Sequence, residues 1–181
     1  MQDIVLVGGG GHCKSVIDVI ESEAKFNIIG IIDTVENIGK KVLSYEIIGG
    51  DDDLTEVFKS CKNAVVTVGQ IKSSEPRKRL FVLLKEIGFI LPTIVSPLAY
   101  ISKHASVGEG TVVMHHALIN AGACVGKNCI INTKALVEHD ATFGDHCHIS
   151  TASVVNGGVV VQDGTFFGSN ATSKEYIVIG K

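Results

Sequence analysis

The stretch that decides the fold reads INTKALVEHDATFGDHCHISTASVVNGGVVV and occupies residues 131–161. A large apolar residue recurs in it at every sixth position, and the period extends from residue 101 to residue 179, with only Ser173 breaking it. A second series, four residues behind the first, consists almost entirely of small residues. A large and a small residue at this fixed spacing are typical of a β-helix, in which each hexapeptide forms one short strand and one corner. The large positions are Ile101, Val107, Val113, Ile119, Val125, Ile131, Val137, Phe143, Ile149, Val155, Val161, Phe167 and Ile179.

The corners of this β-helix have their own sequence signal. Positions directly after the large residue are rich in Gly and Asn, as at Gly126, Asn132 and Gly144. These residue types tolerate a positive φ, which a tight corner needs. We therefore expect the positive φ of each corner to fall at this position.

The period of the repeat also predicts where each histidine points. Three hexapeptides make one triangular coil, so residues 18 apart stack at about the 4.8 Å spacing of β-strands. His139 is then expected to point outward between Ala121 and Gly157 of the neighbouring coils, with the carboxylates of Glu138 and Asp140 beside it. Carboxylates next to an imidazole raise its pKa and orient it, as a general base requires. The alternative interpretation is a solvated surface histidine.

A second outward histidine, His148, lies nine residues from His139, which is half a coil. The two are therefore expected on opposite sides of one prism, where they could cooperate only across an interface between two copies. His146, Cys147 and His148 resemble a metal cluster, but Cys147 belongs to the inward series, so the three cannot converge. No metal is expected.

The N-terminal part has the pattern of a Rossmann-like unit. The apolar run Ile4–Val7 ends in four glycines, a helical stretch follows, and a second apolar run, residues 27–32, ends at Asp33. The remaining elements are predicted as a helix at 54–59, a strand at 64–68, a helix at 76–87 and an edge strand at 89–95. The predicted division is a Rossmann-like domain at 1–97 and a β-helix domain at 98–181.

The glycine loop itself, GGGGHCKS at residues 8–15, nearly matches two nucleotide-binding motifs. Both the P-loop and the dinucleotide fingerprint require a small residue where Cys13 stands, so both matches are imperfect. Bare backbone amides at a helix N-terminus favour an anion, with His12 beside them, and Asp33 could accept from a ribose or sugar hydroxyl. A mononucleotide or nucleotide-sugar is the favoured ligand, and the alternative is a tight turn without a ligand.

Composition excludes several classes of protein. The chain has 16 Lys and Arg against 19 Asp and Glu, and its only basic run is residues 77–79, so nucleic acid is not an expected partner. Five cysteines, an odd number, fit a reducing compartment. No apolar run approaches the length of a membrane span. These features predict a soluble cytoplasmic protein without membrane insertion.

Taken together, both halves resemble the bacterial hexapeptide-repeat acetyltransferases that join a small Rossmann-like domain to a left-handed β-helix. Among these, the chain is most similar to the nucleotide-sugar N-acetyltransferases of bacillosamine or perosamine synthesis and to the related sialic acid O-acetyltransferases. The resemblance implies the left hand of the β-helix, acetyl-CoA as cosubstrate, and a homotrimer with its active site between subunits. The motifs that carry it are Gly10-Gly11-His12, Gly30-Ile31-Ile32-Asp33, Ile131-Asn132-Thr133, Glu138-His139-Asp140, Gly144-Asp145, His148-Ile149-Ser150 and Asn156-Gly157-Gly158.

The resemblance also implies roles for individual residues. His139 is the expected general base, and Asp140 is the carboxylate that raises its basicity. The backbone around Gly157, together with His148, is expected to meet the acetyl-CoA thioester, and Ser169 is expected further along the cofactor groove. The residues expected to hold the nucleotide-sugar are Gly10, Gly11, His12, Asp33 and Gly69. The family often has a second acid after the residue that matches Asp33, whereas here Thr34 follows, which puts the ribose or uracil contacts in doubt.

The expected reaction is transfer of an acetyl group from acetyl-CoA to the amino group of a nucleotide-linked 4-amino-4,6-dideoxy sugar, in surface glycan biosynthesis. Two alternatives stay open. One is a sialic acid O-acetyltransferase, which performs the same chemistry on a poorer nucleophile. The other is a non-catalytic trimeric nucleotide-sugar-binding module.

Overall fold

The computed structural model describes residues 1–180, which form two compact units. One unit contains Met1–Gly69 and Glu75–Pro92, and the other contains Gln70–Ser74 and the chain from Thr93 onward. The sequence predicted the division at residue 97. The β-helix begins earlier because residues 94 and 95 already pair with residues 112 and 113.

The first unit is a five-stranded sheet in the order β3-β4-β2-β1-β5, flanked by helices. All neighbouring strands are parallel except β3 and β4. Continuous apolar runs form the central strands because both faces of the sheet are covered, and residues 4–7 are at most 1% exposed. The elements are β1 (Gln2–Val7), α1 (Gly11–Glu23), β2 (Phe26–Ile32), β3 (Lys41–Val42), β4 (Tyr45–Gly49), α2 (Leu54–Ser60), β5 (Asn63–Val66) and α3 (Glu75–Ile87).

Two features of this unit differ from the sequence prediction. Strands β3 and β4 were not predicted, because they are short and β4 mixes Glu46 and Gly49 among its apolar residues. The predicted single edge strand at 89–95 is wrong. Ile90 makes only an isolated bridge with Asn63, and residues 94–95 form a strand of the other unit. Pro92, which has no N–H to donate to a ladder, lies between the two segments.

The second unit is a parallel β-helix of two-residue strands stacked in three sheets. Strand partners lie 18 residues apart, as predicted, for example Leu118 with Leu136 and Ile130 with His148. The strands are β6 (Ile94–Val95), β7 (Tyr100–Ile101), β8 (Ser106–Val107), β9 (Val112–Val113), β10 (Leu118–Ile119), β11 (Cys124–Val125), β12 (Ile130–Ile131), β13 (Leu136–Val137), β14 (Thr142–Phe143), β15 (His148–Ile149), β16 (Val154–Val155), β17 (Val160–Val161), β18 (Phe166–Phe167) and β19 (Val178–Ile179).

The interior of the β-helix is filled by the two series that the sequence shows. Large residues such as Ile119 and Val137 are fully buried, and the small residues, among them Ala135, pack between them. Cys129 and Cys147 occupy small positions inside this core and are fully buried, as predicted.

The corners differ from the prediction in one respect. Positive φ occurs three positions after the large residue, as at Lys134 (φ 60°) and Asp140 (φ 59°), so the prediction for the position directly after it is wrong. Glycine stands directly after the large residue for another reason, which is the close approach of the next coil. A Cβ at Gly126 would lie 2.5 Å from the carbonyl oxygen of Gly144.

Across residues 1–180, none of the helices has the length and apolar character needed to cross a membrane.

Candidate active site

His139 lies at a corner of the β-helix between β13 and β14 and pairs with the next residue. Its Nδ1 lies 2.9 Å from Oδ2 of Asp140, so Nδ1–H donates to the carboxylate and Nε2 keeps its lone pair. Asp140 takes the positive φ of the corner, and its carboxylate lies against the coil before. A Cβ at Gly122 would lie 2.3 Å from Oδ1 of Asp140, so the pair fits only because residue 122 has no side chain.

Glu138 fixes the backbone of the same corner. Its Oε2 accepts from Nδ2 of Asn120 at 3.0 Å and from the N–H of His139 at 3.2 Å. Oδ1 of Asn120 in turn accepts from the N–H of Ala121 at 2.8 Å. Two successive corners are therefore tied together by one carboxylate and one amide side chain.

Gly157 lies under the imidazole of His139. A Cβ at this position would lie 2.7 Å from both Nε2 and Cε1, so only glycine fits beneath the ring. In the two coils before it, the N–H at the equivalent position, in Ala121 and His139, donates to the side chain of the preceding residue. For Gly157, no group among residues 1–180 accepts from this N–H.

The electrostatics of the corner suit a base. The pKa of His139 is raised, above all by its hydrogen bond to Asp140 and further by the negative charges of Asp140 and Glu138, while desolvation opposes the rise. The side chain of His139 is 53% exposed and that of Asp140 is 70% exposed, so a ligand can reach the free Nε2. This arrangement can take a proton from a ligand placed over Gly157.

His148 points away from the β-helix interior, as predicted, but it is only 6% exposed. Its Nδ1 donates to the carbonyl oxygen of Gln70 at 2.5 Å, and its Nε2 accepts from Nδ2 of Asn132 at 3.0 Å. The edge of its ring packs on Phe166, with ring centroids 5.2 Å apart. Both ring nitrogens are therefore engaged within the chain, and the expected contact of His148 with a thioester stays a prediction.

Ser169 lies at a different corner from His139, after β18. It is exposed, and its Oγ lies 2.8 Å from Oγ of Ser150. The structure therefore leaves Ser169 accessible but does not bring it next to His139.

The first unit contains a cavity of about 430 Å³ at the carboxyl edge of its sheet. Of the five residues predicted to bind the nucleotide-sugar, only Asp33 lines this cavity. The carboxylate of Asp33 also holds the loop, because Oδ2 accepts from the N–H of Gly9 and Oδ1 accepts from the N–H of Thr34, both at 2.6 Å. The lining residues are Val7, Gly8, Ile32, Asp33, Thr34, Val35, Glu36, Gly50, Asp51, Asp52, Val68, Pro76, Arg79 and Leu80.

The other four predicted residues lie outside this cavity. Gly10 and Gly11, at the start of α1, have open space where a Cβ would stand, so a ligand can approach their backbone closely. His12 packs beside Gly69, where an added Cβ would lie 3.5 Å from the Cβ of His12. Cys13 is buried, and burial raises the pKa of its thiol to about 11, which makes it an unreactive packing residue.

Arg79 and Asp51 were missed from the sequence. Nη2 of Arg79 lies 2.9 Å from Oδ2 of Asp51, and both side chains line the cavity. In the sequence, residues 77–79 form a single basic run. However, Arg77 is fully buried and donates to the carbonyl oxygens of Val66 and Val68, at 2.7 and 3.0 Å. The acidic run that follows Gly50 after a strand was the available signal for Asp51.

Tyr176 was also missed. It stacks 18 residues after Gly158, and a Cβ at Gly158 would lie 2.3 Å from Cδ1 of its ring. The stacking arithmetic that placed His139 could have found it. Within residues 1–180, no group of three or more His, Cys, Asp or Glu side chains is placed to bind a metal ion.

Comparison with known proteins agrees with this architecture. Residues 3–82 match the family described as the PglD N-terminal domain. A search of curated protein sequences finds no match to the chain.

Solved structures resemble nearly the whole chain. The acetyltransferase domain of PglB from Neisseria gonorrhoeae, in complex with acetyl coenzyme A, is 25% identical with a TM-score of 0.89, over 98% of this chain and 84% of that chain. A histidine-to-alanine variant of GDP-perosamine N-acetyltransferase from Caulobacter crescentus, in complex with CoA and GDP-perosamine, is 25% identical with a TM-score of 0.85, over 98% and 91%. WeeI from Acinetobacter baumannii, 19% identical with a TM-score of 0.67 over 96% and 94%, shares the fold.

These matches confirm the predicted fold class, an α/β Rossmann-like domain followed by a left-handed parallel β-helix. They also confirm the resemblance: residues 3–82 match the PglD N-terminal domain, and the chain is similar, over 98% of its length, to acetyltransferases of the hexapeptide-repeat, nucleotide-sugar class.

Proposed function

We propose that this protein is an acetyl-CoA-dependent N-acetyltransferase that acts on the amino group of a nucleotide-linked 4-amino-4,6-dideoxy sugar, in surface glycan biosynthesis. The observation that carries the proposal is the His139–Asp140 pair, with its free Nε2 exposed over the backbone of Gly157. The structures of similar proteins with acetyl coenzyme A, and with CoA and GDP-perosamine, support the choice of cosubstrate and acceptor class.

The proposed reaction has no covalent enzyme intermediate. The unprotonated amine of the sugar attacks the thioester carbonyl, a C–N bond forms, and Nε2 of His139 takes the proton that the nitrogen loses. The C–S bond then breaks, and the imidazolium returns the proton to the departing thiolate. Asp140 holds Nδ1–H and stabilises the imidazolium. The free N–H of Gly157 is oriented to stabilise the oxyanion.

The charges around His139 favour an amine over sialic acid as the acceptor. Glu138 and Asp140 place two carboxylates beside the base, and these charges do not repel an amino group. The same charges repel the carboxylate of sialic acid. The O-acetyltransferase alternative is therefore less well supported. Acetyl-CoA turnover would exclude the non-catalytic module.

Substrate and cofactor contacts follow the residues predicted from the resemblance. The nucleotide-sugar is proposed to be held by the first unit through Asp33, with backbone amides at the N-terminus of α1 facing its diphosphate. The full set is Gly10, Gly11, His12, Asp33 and Gly69. For acetyl-CoA the proposed set is His148, Gly157 and Ser169. Gly157 is the best supported of the three, because it lies directly beneath the imidazole of His139.

A homotrimer is proposed as the working form. The outward positions of β7, β10, β13 and β16 are all apolar, namely Tyr100, Leu118, Leu136 and Val154. This apolar stripe runs along the sheet that leads into the corner of His139, so an interface formed there would border the base. The cytoplasmic location expected from the sequence stays a prediction.

The test is thiol release from acetyl-CoA with UDP- and GDP-linked 4-amino-4,6-dideoxy sugars as acceptors. Loss of a general base lowers rates by about 10²- to 10⁴-fold, so His139→Ala should lower kcat by that factor without unfolding the protein. If His139→Ala released thiol at the wild-type rate, the assignment of the base would be wrong. Thermal shifts with UDP, GDP and CMP would identify the nucleotide.

A further inference from the structure

Tyr176 lies two coils after the His139 corner, at the position equivalent to Asp140. Its φ is 53°, in the left-handed region that a bulky side chain rarely adopts, and the residue is 76% exposed. Positive φ is the rule at this corner position, since Lys134 and Asp140 take it at their own corners. What distinguishes Tyr176 is that a large aromatic ring occupies the position and stays exposed.

The ring of Tyr176 lies against the Gly157–Gly158 dipeptide, which the imidazole of His139 also contacts. A Cβ at Gly158 would lie 2.3 Å from Cδ1 of Tyr176, as a Cβ at Gly157 would lie 2.7 Å from Nε2 of His139. The backbone connects the three coils, because Gly158 N–H donates to the carbonyl oxygen of His139 and Tyr176 N–H donates to that of Gly157, both at 3.0 Å. The Gly157–Gly158 backbone therefore forms a bare floor with the imidazole on one side and the phenol ring on the other.

The side of this floor that carries Tyr176 has an apolar patch, next to the exposed Lys174 and Glu175. Val160 follows Gly158 on β17 and is 43% exposed, and Val178 follows Tyr176 on β19 and is 66% exposed. The two valines are strand partners, so they present one continuous apolar surface. The opposite side is polar and anionic, with Glu138 and Asp140 beside the base. A ligand on this floor therefore meets a polar wall on the His139 side and, on the other side, an apolar wall of Tyr176, Val160 and Val178 that Lys174 and Glu175 flank.

These two walls match the two sides of a 4-amino-6-deoxy sugar. Its amino group belongs beside Nε2 of His139, and the adjacent C5 carries the C6 methyl group and an apolar C–H face. We propose that Tyr176 is the surface on which this apolar face packs, and that it selects a 6-deoxy sugar over the 6-hydroxy counterpart. The inference rests on the proposed N-acetyltransferase function and deepens it, because it assigns a specificity-determining residue to the acceptor.

The experiment separates the ring of Tyr176 from the strain of its backbone. Tyr176→Asn removes the ring and installs a residue that tolerates positive φ. Tyr176→Phe keeps the ring and removes only the hydroxyl group. The matched control is Leu43→Asn, because Leu43 is also large, exposed and at positive φ (53°), but lies in the turn between β3 and β4 and not on the β-helix.

The measurement is the kcat and KM of the full chain for a nucleotide-linked 4-amino-4,6-dideoxyhexose and for its 6-hydroxy counterpart. One apolar group in a fitted site is worth about tenfold or more in discrimination, so the wild type should prefer the 6-deoxy acceptor by about that factor. Tyr176→Asn should raise the KM for the 6-deoxy sugar about tenfold and abolish most of the preference, with a smaller change in kcat. Tyr176→Phe should restore the preference, and the pH profile should be the same in all variants.

Each outcome has a distinct meaning. If the wild type acetylates the amino sugar and Tyr176→Asn keeps both KM and preference, the proposal for Tyr176 is wrong and the proposed function stands. If Leu43→Asn loses the preference as Tyr176→Asn does, the effect is a general one of backbone strain and the proposal is wrong. If no amino sugar is acetylated by the wild type, the proposed function fails and takes this inference with it.

A second measurement does not depend on the folding of Tyr176→Asn. The chain has three tyrosines and no tryptophan, so Tyr45→Phe with Tyr100→Phe leaves Tyr176 as the sole tyrosine emitter. The titrant is the 4-amino-4,6-dideoxyhexose 1-phosphate, which lacks a nucleotide base and therefore does not absorb the light that excites tyrosine. It should change the tyrosine emission, whereas its 6-hydroxy counterpart should do so only at higher concentration. Unchanged emission at concentrations that saturate catalysis would overturn the proposal.

Discussion

The imidazole of His139 lies so close over Gly157 that a methyl group on residue 157 would stand 2.7 Å from Nε2. The contact joins the proposed base to a corner N–H that has no acceptor within residues 1–180. Any side chain at residue 157 must therefore displace the imidazole.

Gly157→Ala should accordingly act on catalysis more than on stability. A displacement of about 1 Å at a catalytic group costs about 10²-fold in rate, so kcat should fall by roughly that factor while the melting temperature changes little. The readout is thiol release from acetyl-CoA together with a thermal melt. Gly168→Ala is the control, because an added Cβ there has open space and no positive φ. Equal activity of the two variants would contradict a catalytic role for the His139–Gly157 contact.

Asp140 should set the acid limb of the pH profile. The hydrogen bond from His139 to Asp140 is the main cause of the raised pKa of His139, and the charge of Glu138 is the smallest contribution. In Asp140→Asn the pKa of His139 should therefore fall, which moves the acid limb of kcat/KM to lower pH and lowers the maximal rate by about 10²-fold. Glu138→Gln should shift the limb in the same direction by less. NMR titration of His139 provides a direct check on the order of the two shifts.

The dependence of stability on pH gives a second check on the same hydrogen bond. The folded-state pKa of His139 lies above its unfolded value, so its protonation stabilises the fold below the ordinary histidine pKa. This contribution disappears as the pH rises through the raised pKa. The melting temperature of Asp140→Asn should show less change over that range than the wild type, and an identical pH dependence would contradict the assignment.

Arg77 should be a stability residue and not a binding one. It is fully buried and donates to the carbonyl oxygens of Val66 and Val68. Arg77→Met leaves both carbonyl oxygens without this donor, which should lower the free energy of unfolding by about 1–3 kcal/mol for each. The adjacent Lys78 is exposed, so Lys78→Met should change stability by less than about 0.5 kcal/mol. Urea unfolding of both variants would test this, and equal midpoints would contradict it.

The features of the structure that repeat along the chain were the ones that the sequence predicted. Core positions such as Val137 could be predicted because a period of six needs only local counting, and Val137 is fully buried. The same count placed His139 correctly over Gly157, because the two belong to neighbouring coils of one regular stack.

Contacts outside the repeat could not be predicted in this way. The cover over His148 comes from Gln70, which lies 78 residues away and outside the hexapeptide series. Arg79 of α3 and Asp51, which are 28 residues apart, meet only once the first unit has folded, and no local period connects them.

Arg79 should contribute to binding of the nucleotide-sugar. Its guanidinium is the one cationic group that lines the cavity among residues 1–180, and a nucleotide diphosphate brings negative charge to it. Arg79→Ala should raise the KM for the nucleotide-sugar about tenfold and leave the KM for acetyl-CoA unchanged. Lys78→Ala, on the same helix but outside the cavity, is the control. A KM for the sugar nucleotide that stays at the wild-type value in Arg79→Ala would exclude this cavity as the nucleotide site.

The apolar stripe of Tyr100, Leu118, Leu136 and Val154 should be the interface of the proposed homotrimer. A charge at its centre must be buried unpaired in any interface, so Leu136→Glu should dissociate the trimer and reduce activity together with it. Thr142→Glu introduces the same charge at the outward position of β14, on another sheet, and should leave the assembly intact. Sedimentation equilibrium of both variants and the wild type gives the mass directly. If Leu136→Glu still formed a trimer as stable as that of the wild type, a different face would form the interface. If the wild type were a fully active monomer, activity would not require an interface between subunits.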